Sequence, residues 1–197
     1  MKYFILTMAL LVMAVRPAQA QVERYEFDKA HTQIMFAVNH LGFSNSHGKF
    51  LDFDGYFEFN RGEPEKSKVE VTINTAGINM DDEKWDEHLK GADFFNVEKY
   101  PTMTFKSTKI EVTGENTAKI SGDLTILDKT NPVTLDVIFN KADKSPFGEK
   151  YVAGFSAKAG LKRSDYGMNY GLPMVGDDVS IMIEVEGIRQ GGDVVNP

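Results

Sequence analysis

Four histidines are the only imidazoles in this chain, and three of them, His31, His40 and His47, fall within seventeen residues of one another. The last two frame the stretch "HLGFSNSHGKF" (His40 to Phe50), and His88 stands apart. A zinc centre needs three or four N, O or S ligands. The spacings here form no HExxH motif, and there is no cysteine to contribute a thiolate. Asp28-x-x-His31 does set a carboxylate beside an imidazole, although a turn cap uses the same pair. Serine chemistry has still less support. "GFSNS" at Gly42 and "GFSAK" at Gly154 both lack the second glycine of a nucleophile elbow and its strand–turn–helix setting. Neither GxGxxG nor a P-loop is present. No catalytic residue, metal or cofactor is therefore assigned. An enzyme or metal protein using His31, His40, His47 and His88 on a scaffold is the rival to a binding function.

The elements that would position these residues alternate with period two, as half-buried antiparallel strands do. Ile34, Phe36, Val38 and His40 share one face, and Leu51, Phe53, Phe57 and Phe59 another, with Gly55 between them. Val69, Val71 and Ile73 alternate with polar residues. So do Ile120, Leu124 and Ile126; Val133, Leu135, Val137 and Phe139; Ala153, Phe155 and Ala157; and Val179, Ile181, Ile183 and Val185. In "PTMTFKSTKIEV", Met103 and Phe105 have one parity but Ile110 and Val112 the other, which predicts a bulge near Ser107. "NRGEPEKS", "TGENTA", "LDKTNP" and "DKSPFGEK" supply turns. These runs make eight substantial strands plus a short one at "ERYEF". That is an all-β meander closing into a barrel or folding into a sandwich. "NMDDEKWDEHLKGADFF" breaks the rhythm as one short helix, capped at Gly91, over a barrel end or edge.

Residues 1–20 read as a signal peptide: Lys2, an apolar run from Tyr3 to Val15, and Ala18-Gln19-Ala20 before the cut. An uncleaved anchor is the alternative, but the run is short for a bilayer core of about 30 Å. Residues 21–197 then form a single domain that carries 20 basic and 29 acidic side chains, a formal charge of −9. Such a surface repels nucleic acid and anionic lipid. Export without cysteine fits a periplasm and excludes disulfides and a lipid-modified N-terminus. The tail "GGDVVNP" reads as disordered. Bulk apolar capacity is what remains. An eight-stranded barrel is either filled by its side chains or holds one small ligand, and periodicity leaves both open.

"DKAHTQIMFAVNHLGFSNSHGKF", "DEHLKGADFFNVEKYPTMTFKST", "GDLTILDKTNPVTLDVIF" and "KRSDYGM" resemble successive signatures of the YceI-like family, spanning about Asp28 to Glu186. The resemblance implies an extended antiparallel lipocalin-like β-barrel. It also implies a non-catalytic periplasmic protein that transports or sequesters a long-chain isoprenoid lipid, a polyprenyl quinone or phosphate or a similar amphiphile. The apolar tunnel would be lined by Ile34, Phe36, Val38, Phe53, Phe57, Phe105, Leu124, Leu135, Val137, Phe155, Ile181 and Ile183. His40, His47, Arg163 and Tyr166 would surround the mouth and head group, with Tyr166 in place of the phenylalanine expected in that block. For Arg163, a structural ion pair is the competing reading. A homodimer is compatible with the family; stable membrane insertion is not expected. A filled barrel serving as a stress-related interaction module is a third reading.

Overall fold

The computed structural model describes residues 22–191. The signal peptide expected at residues 1–20 and the tail after Gly191 lie outside them. The chain runs β1 (Val22–Phe27), β2 (Gln33–His40), β3 (Ser44–Phe50), β4 (Phe53–Asn60), β5 (Lys68–Asn74), β6 (Ile78–Asn79), α1 (Glu83–Lys90), β7 (Thr102–Gly114), β8 (Thr117–Ile126), β9 (Lys129–Lys144), β10 (Tyr151–Lys162) and β11 (Val175–Arg189). Eight of these strands close a ring in the order β1–β4–β5–β7–β8–β9–β10–β11, with β11 returning to β1, and every pairing is antiparallel.

The ring is an eight-stranded barrel, but not the eight strands that the strongest alternation suggests. The weak run "ERYEF" (β1) belongs to it, whereas the clean alternation of β2 lies outside. The reason is a fork in β11. Its first part, Val175–Glu184, pairs with β2, and its end, Gly187–Arg189, pairs with β1. At the fork the Asp28 amide donates to the Glu186 carbonyl at 2.8 Å. The Thr32 hydroxyl donates to that same carbonyl and accepts from the Glu186 amide, both at 3.1 Å. β2 then leads into β3 and the two-residue β6, and β6 lies against α1.

Local chemistry explains the remaining departures. The stretch after His40 is a tight hairpin. Leu41 (φ 56°) and Gly42 (φ 77°) adopt left-handed backbone, the Phe43 amide donates to the His40 carbonyl, and the Gly42 amide donates to Asn39 Oδ1. This is the left-handed pair that tight hairpins require. β3 escapes a pattern search because its inward positions are Ser46 and Gly48 rather than large apolar residues. A Cβ on Gly48 would fall 2.4 Å from both the Phe36 ring and the Met80 sulfur, so the neighbours supply the missing bulk. Leu51, grouped with Phe53 by parity, instead sits in the β3–β4 turn and is exposed. The bulge near Ser107 is present. The β7–β8 register shifts between Ser107 and Lys109, and Ser107 Oγ accepts from the Val69 amide at 3.0 Å.

The helix begins where Asp82 accepts from the Trp85 amide at 3.0 Å. It ends at Gly91, which has extended rather than left-handed backbone (φ −69°). Two apolar clusters fill the barrel unevenly. Rings of Tyr25 and Phe57 stack at 4.9 Å near the β1 start, with the Phe155 ring edge-on to Phe57 at 5.4 Å. A larger cluster around Phe50, Phe53, Met103, Leu124 and Tyr166 packs the other half.

Candidate functional site

Between those clusters runs a cavity of about 690 Å³. This lies within the roughly 300–1,000 Å³ usual for small-molecule sites. The barrel is therefore hollow, and its wall is almost wholly apolar. Strand alternation puts the wall together. Ile34, Phe36 and Val38 of β2, Phe53 and Phe57 of β4, Phe105 of β7, Leu124 of β8, Leu135 and Val137 of β9, Phe155 of β10, and Ile181 and Ile183 of β11 all line it. Phe27, Phe50, Phe95, Leu89, Met103 and Met168 line it too. Phe50 sits at the end of the small-residue strand β3, while Leu89 and Phe95 lie on or after α1, where period-two counting does not apply.

The cavity reaches two openings of different chemistry. At the first, α1 and the loop between β10 and β11 meet the β2–β3 hairpin. His40 and Trp85 rings pack at 5.7 Å, His88 lies 5.1 Å from both Phe94 and Tyr170, and these side chains line the cavity. The second lies where β7 outruns its neighbour. β7 pairs with β5 only from Thr102 to Lys106, and beyond Ser107 it is held by β8 alone. Along this stretch Ile110 and Val112 reach the cavity beside Glu58, Arg61, Lys68 and Glu115. Arg61 Nη2 donates to the Tyr151 hydroxyl at 2.6 Å and to the Ala142 carbonyl at 3.1 Å. Nearby, Glu23 accepts from the Tyr25 hydroxyl at 2.7 Å and pairs with Arg189 at 2.6 Å. Burial, and then Glu23, push the Tyr25 hydroxyl far above the usual phenol range, so it stays a neutral donor.

The four histidines do not gather. His40 and His88 line the first opening. His47 pairs with Ala37 on the opposite strand face and is exposed, so it does not join His40 in lining the cavity. One residue of register reverses the direction of a strand side chain. His31 lies at the β11 fork, with Nδ1 3.0 Å from Asp28 Oδ2. Asp28 Oδ1 also accepts from the Ala30 amide. The bond to Asp28 raises the His31 pKa above its ordinary value, and the bond to His31 lowers that of Asp28. Asp28, His31 and Glu186 are the one group of three metal-capable side chains among the described residues. In this structure the first two order the β1–β2 turn.

Arg163 and Tyr166 fall on a short 3-10 turn after β10, both buried against the cavity wall. Arg163 is only 4% exposed. Its Nε, Nη1 and Nη2 donate to the carbonyls of Gly176, Met168 and Val175 at 2.7, 2.9 and 2.9 Å. Three of its five N–H donors thus hold the loop at the first opening, and backbone rather than a carboxylate receives them. Asp177 accepts from the Ser164 amide and hydroxyl at 2.9 and 2.8 Å, fixing the same turn. Burial raises the Tyr166 hydroxyl pKa. That hydroxyl lies near the Asn131 amide but makes no well-formed hydrogen bond among the described residues.

Known proteins share this architecture. A protein from Ectopseudomonas mendocina named UPF0312 protein is 41% identical over 187 residues, covering 93% of this chain and 97% of its own. A UPF0312 protein from Azotobacter vinelandii is 40% identical over 174 residues, covering 87% and 90%. Among solved structures, the Campylobacter jejuni YCEI protein superposes with a TM-score of 0.71 at 33% identity, covering 78% of this chain and 90% of that one. A polyisoprenoid binding domain from Saccharophagus degradans, implicated in plant cell wall breakdown, shares the fold at a TM-score of 0.65 and 10% identity, over 86% of this chain and all of that one. The model of the YceI-like domain matches residues 25–187. An eight-stranded hollow barrel with these relatives belongs to the YceI-like family.

Proposed function

We propose that the barrel binds a long-chain isoprenoid lipid, a polyprenyl quinone or phosphate or a similar amphiphile, and carries or sequesters it without catalysis. The observation that carries this reading is the apolar cavity of about 690 Å³ running through a barrel whose ring is closed. Each CH₂ removed from water contributes about 0.8 kcal/mol, so a chain of several isoprene units binds tightly without directional contacts. The same arithmetic gives loose selectivity among chains that fit. The wall residues named above, from Ile34 to Ile183, are the proposed chain-binding surface.

The head group is placed at the first opening, beside His40, with Arg163 and Tyr166 behind it. Arg163 acts there chiefly by holding the loop, since three of its donors meet carbonyls. That commitment, together with the acidic surface, favours a neutral head over a dianionic one. The fold is shared with a neighbour described as a polyisoprenoid binding domain. Removal of residues 1–20 on export would place the mature protein in a periplasm, without stable insertion in the membrane. The reading needs no cofactor, and a homodimer is compatible with it.

The test is to express the chain with residues 1–20, purify it without detergent, and record native mass spectra before and after solvent extraction. An additional mass that extraction releases as a polyprenyl compound is expected. A bare protein would overturn the reading, and a stoichiometric metal would return attention to the histidines.

A further inference from the structure

The first opening wears a collar of apolar side chains that nothing in the fold covers. Phe43 is 90% exposed, Met174 67%, Tyr170 49% and Leu41 43%. They come from two segments far apart in sequence, yet the Leu41 amide donates to the Met174 carbonyl at 3.0 Å and joins them. The backbone beneath is firmly held, by the left-handed hairpin on one side and the Arg163 guanidinium on the other. These side chains stand in water on an ordered frame.

The charge pattern identifies what fits them. Charged residues make up 26% of the chain, yet Leu41–Ser46 ("LGFSNS") and Gly167–Gly176 ("GMNYGLPMVG") contain none. An apolar patch without charges leaves water for an uncharged interface without the cost of desolvating an ion. Other exposed sites lack this combination. Phe147 is 96% exposed, but it is alone on its turn among Lys144, Glu149 and Lys150. The second opening is ringed by Glu58, Arg61, Lys68 and Glu115.

We propose that this collar docks the barrel on the surface of an electrically neutral lipid bilayer, with the cavity mouth facing the lipid. The inference rests on the lipid-binding reading for its purpose, but not for its geometry. Aromatic side chains suit the headgroup level of a bilayer. The docking proposed is peripheral, through the collar alone; among the described residues no helix is long and apolar enough to cross a membrane. On α1 and at its N-cap, Asp82, Glu83, Asp86 and Glu87 outnumber Lys84 and Lys90 beside the mouth, so bilayers rich in anionic lipid are disfavoured.

Trp85 is the one tryptophan in the chain and sits at this mouth, 39% exposed, which makes it a native reporter. The full chain would be floated with vesicles of phosphatidylcholine and phosphatidylethanolamine, and Trp85 quenching would be read with brominated phosphatidylcholine. Flotation with quenching is expected, weakened when phosphatidylglycerol is added at low salt. Replacing Phe43→Ser and Met174→Ser together should lower vesicle affinity about tenfold or more, given the apolar area each side chain would bury. Phe147→Ser should leave it unchanged. A wild-type chain that does not float overturns the proposal, and so does a double variant that floats as well as wild type. A dimer that the double variant dissolves, with no vesicle binding by wild type, would identify a second copy as the occupant and also overturn it. Native mass spectra of the same samples separate the two readings. Lipid retained by a double variant that no longer docks supports both. Docking by a chain that never carries lipid keeps the collar and removes the ligand.

Discussion

Replacing Arg163 by alanine removes three hydrogen bonds from a group that is 4% exposed, and strands the carbonyls of Met168, Val175 and Gly176. Hydrogen bonds to a charged group contribute about 1.5–3 kcal/mol each, and a buried polar atom left without a partner costs about 1–3 kcal/mol. Gly176 and Val175 begin β11 and can turn partly toward water, so the expected loss is about 3–5 kcal/mol rather than the full sum. For a domain of this size each kcal/mol lowers Tm by about 2–4 °C, which gives a fall of about 6–20 °C. Thermal unfolding followed by circular dichroism at 222 nm reads this directly. Arg163→Lys is the informative companion. A single ammonium on a flexible stem cannot reproduce a planar fork aimed at three carbonyls, so it should recover less than half of the loss. The unfolding experiment would be repeated on lipid-loaded protein. A loss below about 1 kcal/mol in Arg163→Ala, or full rescue by lysine, would refute the argument that this guanidinium holds the mouth.

Five further outcomes follow from other parts of the barrel. Val38→Asp puts a carboxylate on the cavity wall and should abolish retention of extracted lipid while the far-ultraviolet spectrum persists; unchanged lipid content would remove Val38 from the site. Gly187→Ala drives a Cβ to 2.3 Å from the Phe57 ring and should cost about 1–3 kcal/mol in urea unfolding. Gly160→Ala, whose Cβ meets only the Val179 carbonyl at 3.8 Å, should stay within about 0.5 kcal/mol of wild type. Ser107→Ala leaves the Val69 amide without its acceptor, and should speed hydrogen exchange at that amide and cost about 1–2 kcal/mol. For the His31–Asp28 pair, the raised imidazole contributes stability in full below its ordinary pKa of 6.5, lost as pH rises through the higher folded value. The lowered Asp28 carboxyl contributes in full above 3.8, lost as pH falls through its folded value. NMR titration should therefore find His31 above 6.5, with Asp28→Asn returning it toward that value.

Sequence patterning disclosed most of the barrel because most of its wall obeys one rule. Where a strand has water on one face and the cavity on the other, large apolar residues recur every second position, as from Val133 to Phe139. Even the bulge at Ser107 showed as a change of parity between Phe105 and Ile110. The rule fails where a neighbour supplies the bulk. Gly48 and Ser46 look like loop residues until the Phe36 ring and Met80 are seen above Gly48. It fails again at Leu51, where an apolar residue of the right parity falls in a turn. Tertiary chemistry was harder to read. Nothing local distinguishes an Arg163 that meets a ligand from one that grips carbonyls up to thirteen residues along the chain. The outward direction of His47 is set by the register of the β2–β3 hairpin, which spacing from His40 does not disclose. The fork in β11 left no pattern at all, since both of its partners need the same alternation.

That fork settles how the sheet ends. A ring joined to itself has no free edge strand to offer a foreign chain, apart from the stretch of β7 beyond Ser107 that β8 alone holds. The branch that leaves it narrows from the eight residues of β2 to seven in β3 and two in β6. The last member is too short to template another chain, and α1 follows it directly. A chain with no cysteine has no covalent clasp against strand exchange. Its protection is topological: the branch that leaves the ring ends on a pair of residues.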